Sequence, residues 1–105
     1  MPTRPTSRRA DTKPPLDTRR LLISGHVQGV GFRYALLHAA RRFGATGWVR
    51  NVRGGGVEAV VQGTADVVAS MIEWSRRGPE GARVDDVDVS AANGTFLGFE
   101  IRDTI

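Results

Sequence analysis

Gly25-His26-Val27-Gln28-Gly29-Val30-Gly31-Phe32-Arg33, continuing through Tyr34-Ala35-Leu36-Leu37-His38-Ala39-Ala40-Arg41-Arg42-Phe43-Gly44, is the stretch on which the reading of this chain turns. An apolar run of strand length, Leu21 to Val27, stops at a glycine-bearing loop, and helical spacing begins beyond it. Phe32, Leu36, Ala39, Ala40 and Phe43 fall at i, i+4, i+7, i+8 and i+11, one buried stripe that leaves Arg41 and Arg42 outside, and Gly44 is the stop signal. The loop therefore meets a helix N-terminus, where unpaired N–H groups and the positive end of the macrodipole favour an anion. Gly29 and Gly31 let the backbone curl into a nest and let a ligand approach without a Cβ in the way. Arg33 falls in the first helical turn, and its planar fork matches phosphate oxygens. The candidate anion-binding residues are thus Gln28, Gly29, Val30, Gly31, Phe32 and Arg33.

Two familiar glycine loops do not fit. A nucleotide P-loop requires Lys-Ser or Lys-Thr after its last glycine, and Phe32-Arg33 stands there. A dinucleotide fingerprint requires a third glycine where Tyr34 stands, and an acidic residue about 20 positions on, which is missing.

Working outward, Thr46 to Asn51 and Gly56 to Gln62 read as two strands, joined into a hairpin by Arg53-Gly54-Gly55-Gly56. A second helix starts from a Thr64 cap, shows Val67, Val68, Met71, Ile72 and Ser75 on its inner face, and ends at Gly78-Pro79. Arg83 to Ser90 is a strand whose Val84-to-Val87 step breaks alternation and points to a bulge or a late start. Asn93-Gly94 is a turn signal, and Phe99 to Arg102 alternates as a final strand. The order is β-α-β-β-α-β with an extra C-terminal strand. Right-handed crossovers then put two helices on one face of an antiparallel sheet, an α+β, ferredoxin-like α/β sandwich. That fold hosts enzymes and RNA-binding modules alike and names no function by itself.

The chain has 105 residues, one small domain's worth, with no cysteine and only two histidines, His26 and His38. It therefore has neither a disulfide framework nor a thiolate nucleophile, and no histidine-rich metal site is expected. The net charge of +4 is concentrated: residues 1–20 carry six basic side chains against two acidic ones, and the remainder holds nine of each sign. A neutral domain behind a basic tail argues against a phosphate-backbone footprint, so no nucleic-acid partner is expected. Four of the five prolines also lie in that tail. Its composition cannot bury enough apolar surface to fold, so residues 1–18 read as disordered and 19–105 as the domain. No secretory h-region and no run of membrane-spanning length occurs, and prolines interrupt any amphipathic transit helix. A cytoplasmic monomer without a membrane partner is the resulting expectation.

Two linked stretches resemble the signatures of the acylphosphatase family. Gly25-x-Val27-Gln28-Gly29-Val30-x-Phe32-Arg33 is similar to the first, and Gly47-Trp48-Val49-Arg50-Asn51 with Gly55-x-Val57-Glu58 and Gly63 to the second. Gly78 to Val84 and Gly98 to Arg102 also look like the family, so the likeness runs from about Arg20 to Arg102. Gly54 stands where the family usually has an acidic residue.

The resemblance implies hydrolysis of small-molecule acyl phosphates to carboxylate and phosphate, without metal or organic cofactor. It implies Arg33 as the phosphate-binding residue and Asn51 as the residue that orients the attacking water. Asn51's amide offers an acceptor and donors, as that task requires, whereas local sequence alone makes it a turn residue. The chemistry suits this residue set: a leaving carboxylate, whose conjugate acid has a pKa of about 4, needs no general acid at neutral pH. His26 and His38 are accordingly not assigned a proton-transfer role. Phe32, Phe43 and Trp48 are expected in the core and Glu58 in solvent. The competing reading is a non-catalytic anion- or RNA-binding module on the same fold; RNA recognition would require exposed aromatics on the central strands, where Val57 to Gln62 supplies none.

Overall fold

The computed structural model describes residues 15–105. Residues 1–14 of the expected tail lie outside the described residues, whereas Asp17 and Thr18 already belong to the first strand. The elements run β1 (Asp17–His26), α1 (Phe32–Phe43), β2 (Thr46–Asn51), β3 (Val57–Gly63), α2 (Ala65–Arg77), β4 (Arg83–Ala91) and β5 (Phe99–Ile101). Their order across the sheet is β4-β1-β3-β2-β5.

Each helix begins and ends where its punctuation residues stand. Gly44 closes α1, its N–H bonded to Ala40 O, and the Thr64 hydroxyl accepts from Val67 N to cap α2. The stripe read from spacing is the buried one: Phe32, Leu36, Ala39 and Ala40 on α1, with Val68, Met71 and Ser75 on α2. These meet Leu21, Ile23, Val49, Val57, Ala59, Val61 and Val87 from alternate positions of four strands, which forms a single core. Phe32 meets Trp74 edge-on, ring centroids 5.6 Å apart, and joins the two helices.

The irregular step in the fourth strand is a bulge. Ser24 pairs with Asp86 but Gly25 with Val84, so Asp85 is the extra residue that puts Val84 and Val87 on one side. The bulge crowds β1. A Cβ on Gly25 would lie 2.1 Å from Arg83 O, so only glycine fits this first motif position.

The expectation of an antiparallel sheet holds for four strands, and β5 corrects it by pairing parallel to β2. The cause is direction. β4 lies at one edge and runs opposite to β1 and β2; a chain that turns back after β4 and docks at the far edge must run with β2. Asn93-Gly94 is therefore not a tight hairpin turn but part of the crossing connection, where Gly94 O accepts a 2.8 Å bond from Gln62 Nε2.

The helix-free face corrects a second expectation. Glu58 is not solvated: it is only 7% exposed and bridges Arg20 and Arg50, with 2.8 Å to Arg50 Nε. Trp48 is buried on this same face rather than in the main core, and the Arg50 and Arg102 guanidiniums stack on its ring at 4.7 and 4.8 Å.

Candidate active site

The loop between β1 and α1 has the form its glycines predict. Gly29 and Gly31 both take φ of 77°, a left-handed value that costs a side-chain-bearing residue energy. A Cβ at either would meet nothing within 4 Å, so the space before the nest is open. Gly31 caps α1 without a side-chain bond, and no acidic residue occupies the first turn. Among the described residues, the N–H groups from Gly29 to Tyr34 find no acceptor; the first bonded amide is Ala35 N, at 3.0 Å from Gly31 O. The outcome is a cluster of unpaired donors at the positive end of a 12-residue helix, open to solvent.

The six candidate residues divide by what they present. Phe32 turns its side chain into the core and Val30 packs against it, so these two offer only backbone amides. Arg33 is half-buried and makes no salt bridge among the described residues, leaving its fork free beside the donors. The Gln28 side chain is engaged elsewhere: its Nε2 donates to Val52 O and to Gly56 O, each at 2.8 Å.

Those two carbonyls belong to the stems of the β2–β3 turn. Asn51 ends β2 opposite Val57, half-buried, and its amide has no hydrogen-bond partner among the described residues. The Gln28 bonds bring the loop up to Val52, the residue after Asn51, so cradle and strand end lie at one end of the sheet. The turn is closed by Val52 N to Gly56 O at 3.0 Å and tethered by Arg53 N to Ile105 O at 2.8 Å, with Gly54 and Gly55 at positive φ. Gly54, the departure from the family pattern, thus sits in a turn fastened on several sides.

His26 and His38 are both exposed, His38 away from the buried stripe of α1. Among the described residues no group of three His, Cys, Asp or Glu side chains could hold a metal ion. Within the second motif, Glu58 is a carboxyl paired directly with Arg50. Burial pushes its pKa up, but hydrogen bonds and charges from Arg20 and Arg50 outweigh burial and hold it below the ordinary carboxylate value. Its pairing was missed in the sequence because Arg20 lies 38 residues away, beyond any local pattern.

A family model described as acylphosphatase matches residues 19–101. The chain belongs to the acylphosphatase family. The acylphosphatase of Albidiferax ferrireducens is 48% identical over 87 residues, which span 83% of this chain and 95% of that protein. That of Thiobacillus denitrificans is likewise 48% identical over 87 residues, or 98% of its length. The solved structure of an acylphosphatase from Coxiella burnetii superimposes with a TM-score of 0.80 at 33% identity, over 83% of this chain and 93% of that one. This acylphosphatase is a hydrolase of small-molecule acyl phosphates on a ferredoxin-like α+β scaffold. No helix among the described residues is long and apolar enough to cross a membrane.

Proposed function

We propose that the phosphoryl group of an acyl phosphate is held by the backbone N–H groups of residues 28–33 together with the Arg33 guanidinium, and that Asn51 orients the attacking water. The observation that carries this reading is the set of amides at the start of α1 that find no partner among the described residues, next to Arg33 and within one hydrogen-bonded link of Asn51, whose side chains likewise have none there. Donors fixed in place before the substrate arrives need no reorganisation as charge builds on the phosphoryl oxygens. The water oxygen attacks phosphorus, the bond between phosphorus and the acyl oxygen breaks, and the carboxylate departs with the electron pair. The water protons pass to phosphate and solvent, so no side chain need act as an acid. The same reading takes the enzyme as a cytoplasmic monomer without nucleic-acid or membrane partners and without a metal requirement.

The test separates holding from attack. Arg33→Lys keeps the charge but loses the fork, and is expected to weaken inhibition by inorganic phosphate and to lower kcat/KM. Asn51→Ala is expected to keep phosphate inhibition while kcat falls by about 10²-fold or more. Turnover of acetyl phosphate is measured in the presence of a chelator. If Asn51→Ala loses only thermal stability, Asn51 is a turn residue and the water is oriented elsewhere.

A further inference from the structure

We propose that the Gln28 side chain is a positioning group rather than a phosphate ligand: whatever its backbone N–H contributes to the nest, the side chain sets the distance between the nest and the strand end that carries Asn51. This inference rests on the roles given above to the nest, Arg33 and Asn51.

The sheet does not set that distance. Strands β1 and β3 pair only as far as Ile23 with Val57, and the loop and the turn both lie beyond the last rung. They come from separate connections, β1 to α1 and β2 to β3, and among the described residues the Gln28 bonds to Val52 O and Gly56 O are the only hydrogen bonds between them. One primary amide spans both stems of the turn at 2.8 Å each.

Donor bookkeeping separates this role from substrate binding. A glutamine amide has two N–H donors and one carbonyl acceptor, and both donors point at backbone carbonyls here. What remains is the Oε1 acceptor, which repels a phosphoryl oxygen instead of holding it. The Gln28 side chain is thus unable to add a donor to the nest. It is well suited to keep the nest and Asn51 in register, and a displacement of about 1 Å between nucleophile and phosphorus is enough to cost about 10²-fold in rate.

The proposal makes kcat and phosphate affinity separable at this residue. Gln28→Met keeps the length and removes both donors; phosphate Ki is expected to stay within about threefold of the parent enzyme while kcat per folded molecule falls by about tenfold to a hundredfold. Gln28→Glu faces two carbonyls with a carboxylate, and only when protonated regains one O–H donor. Its kcat relative to the parent enzyme is therefore expected to rise as the pH is lowered, a response that a general loss of stability does not give. Folded fraction is followed by circular dichroism in every assay, and Gln28→Glu at low pH supplies the second reading should Gln28→Met fold poorly. Parent-like kcat in folded Gln28→Met, or a pH-independent deficit in Gln28→Glu, overturns the proposal. A phosphate Ki that weakens in step with kcat does so too, and makes Gln28 a ligand. Arg33→Lys and Asn51→Ala are assayed in parallel: if both behave as the parent enzyme, the site assignment itself fails, whatever Gln28 does.

Discussion

Glu58 keeps its charge on a sheet face with little access to water because two guanidiniums reach it, Arg50 directly across the β2–β3 ladder and Arg20 from β1. Its folded pKa is depressed, so the pairing stabilises the fold fully above the unfolded value of about 4.3 and the contribution is lost as pH falls through the folded value. Glu58→Gln is expected to lower stability at pH 7 by about 1–3 kcal/mol, toward the lower end because Arg20 is partly solvated. The gap to the parent protein should shrink as pH drops below the ordinary carboxylate range. Urea unfolding at pH 7 and pH 3 checks this; an equal gap at both would mean that Glu58 acts through packing alone. Gly25 and Gly47 open the two signatures, and packing requires both: a Cβ on Gly47 would lie 1.8 Å from Val60 O, as one on Gly25 would lie 2.1 Å from Arg83 O.

Among the elements, α2 follows its sequence most closely and contains the one buried hydroxyl that lacks a partner among the described residues. Ser75 is fully buried on the inner stripe, where spacing alone puts it, and its Oγ makes no hydrogen bond. A buried unpaired hydroxyl costs free energy, and alanine is the better helix former. Ser75→Ala is expected to raise stability by about 0.5–2 kcal/mol and Tm by several degrees, with turnover unchanged. A fall in Tm would show that the hydroxyl bonds back to the helix in solution. The β4 bulge was legible as a break in valine spacing. The true start of β1 at Asp17 was not, because Asp17 to Arg20 is polar and held by pairing with β3 and β4.

At the scale of the molecule, the start of β1 is tied to the rest of the sheet by more than its ladder. Thr18 accepts from Gln62 Nε2 at 2.9 Å through its hydroxyl and from Ala92 N at 3.2 Å through its carbonyl, which ties β1 to the end of β3 and to the crossing connection. Deleting residues 1–14 is expected to leave Tm and kcat near those of the full chain, since that segment is polar and proline-rich and the motifs lie beyond it. Deleting residues 1–18 removes both Thr18 bonds and should lower stability by about 1–2 kcal/mol. Thermal melts of the two truncations decide the point: a loss already at residue 14 would mean that the tail docks on the domain.

The sequence by itself determined the helices, their buried stripes and caps, the glycine nest and the arginine that follows it, because each is written in spacings of a few residues that local backbone geometry obeys. It also carried the family likeness, in two motifs whose residues stand in the expected order. Only the tertiary structure decided that β5 docks parallel at the far edge, that Glu58 is buried between two arginines, and that the Gln28 amide joins the loop to the turn. Those arrangements link residues from 8 to 52 positions apart. The choice among such partners is made by the closing of the sheet, which no local period records.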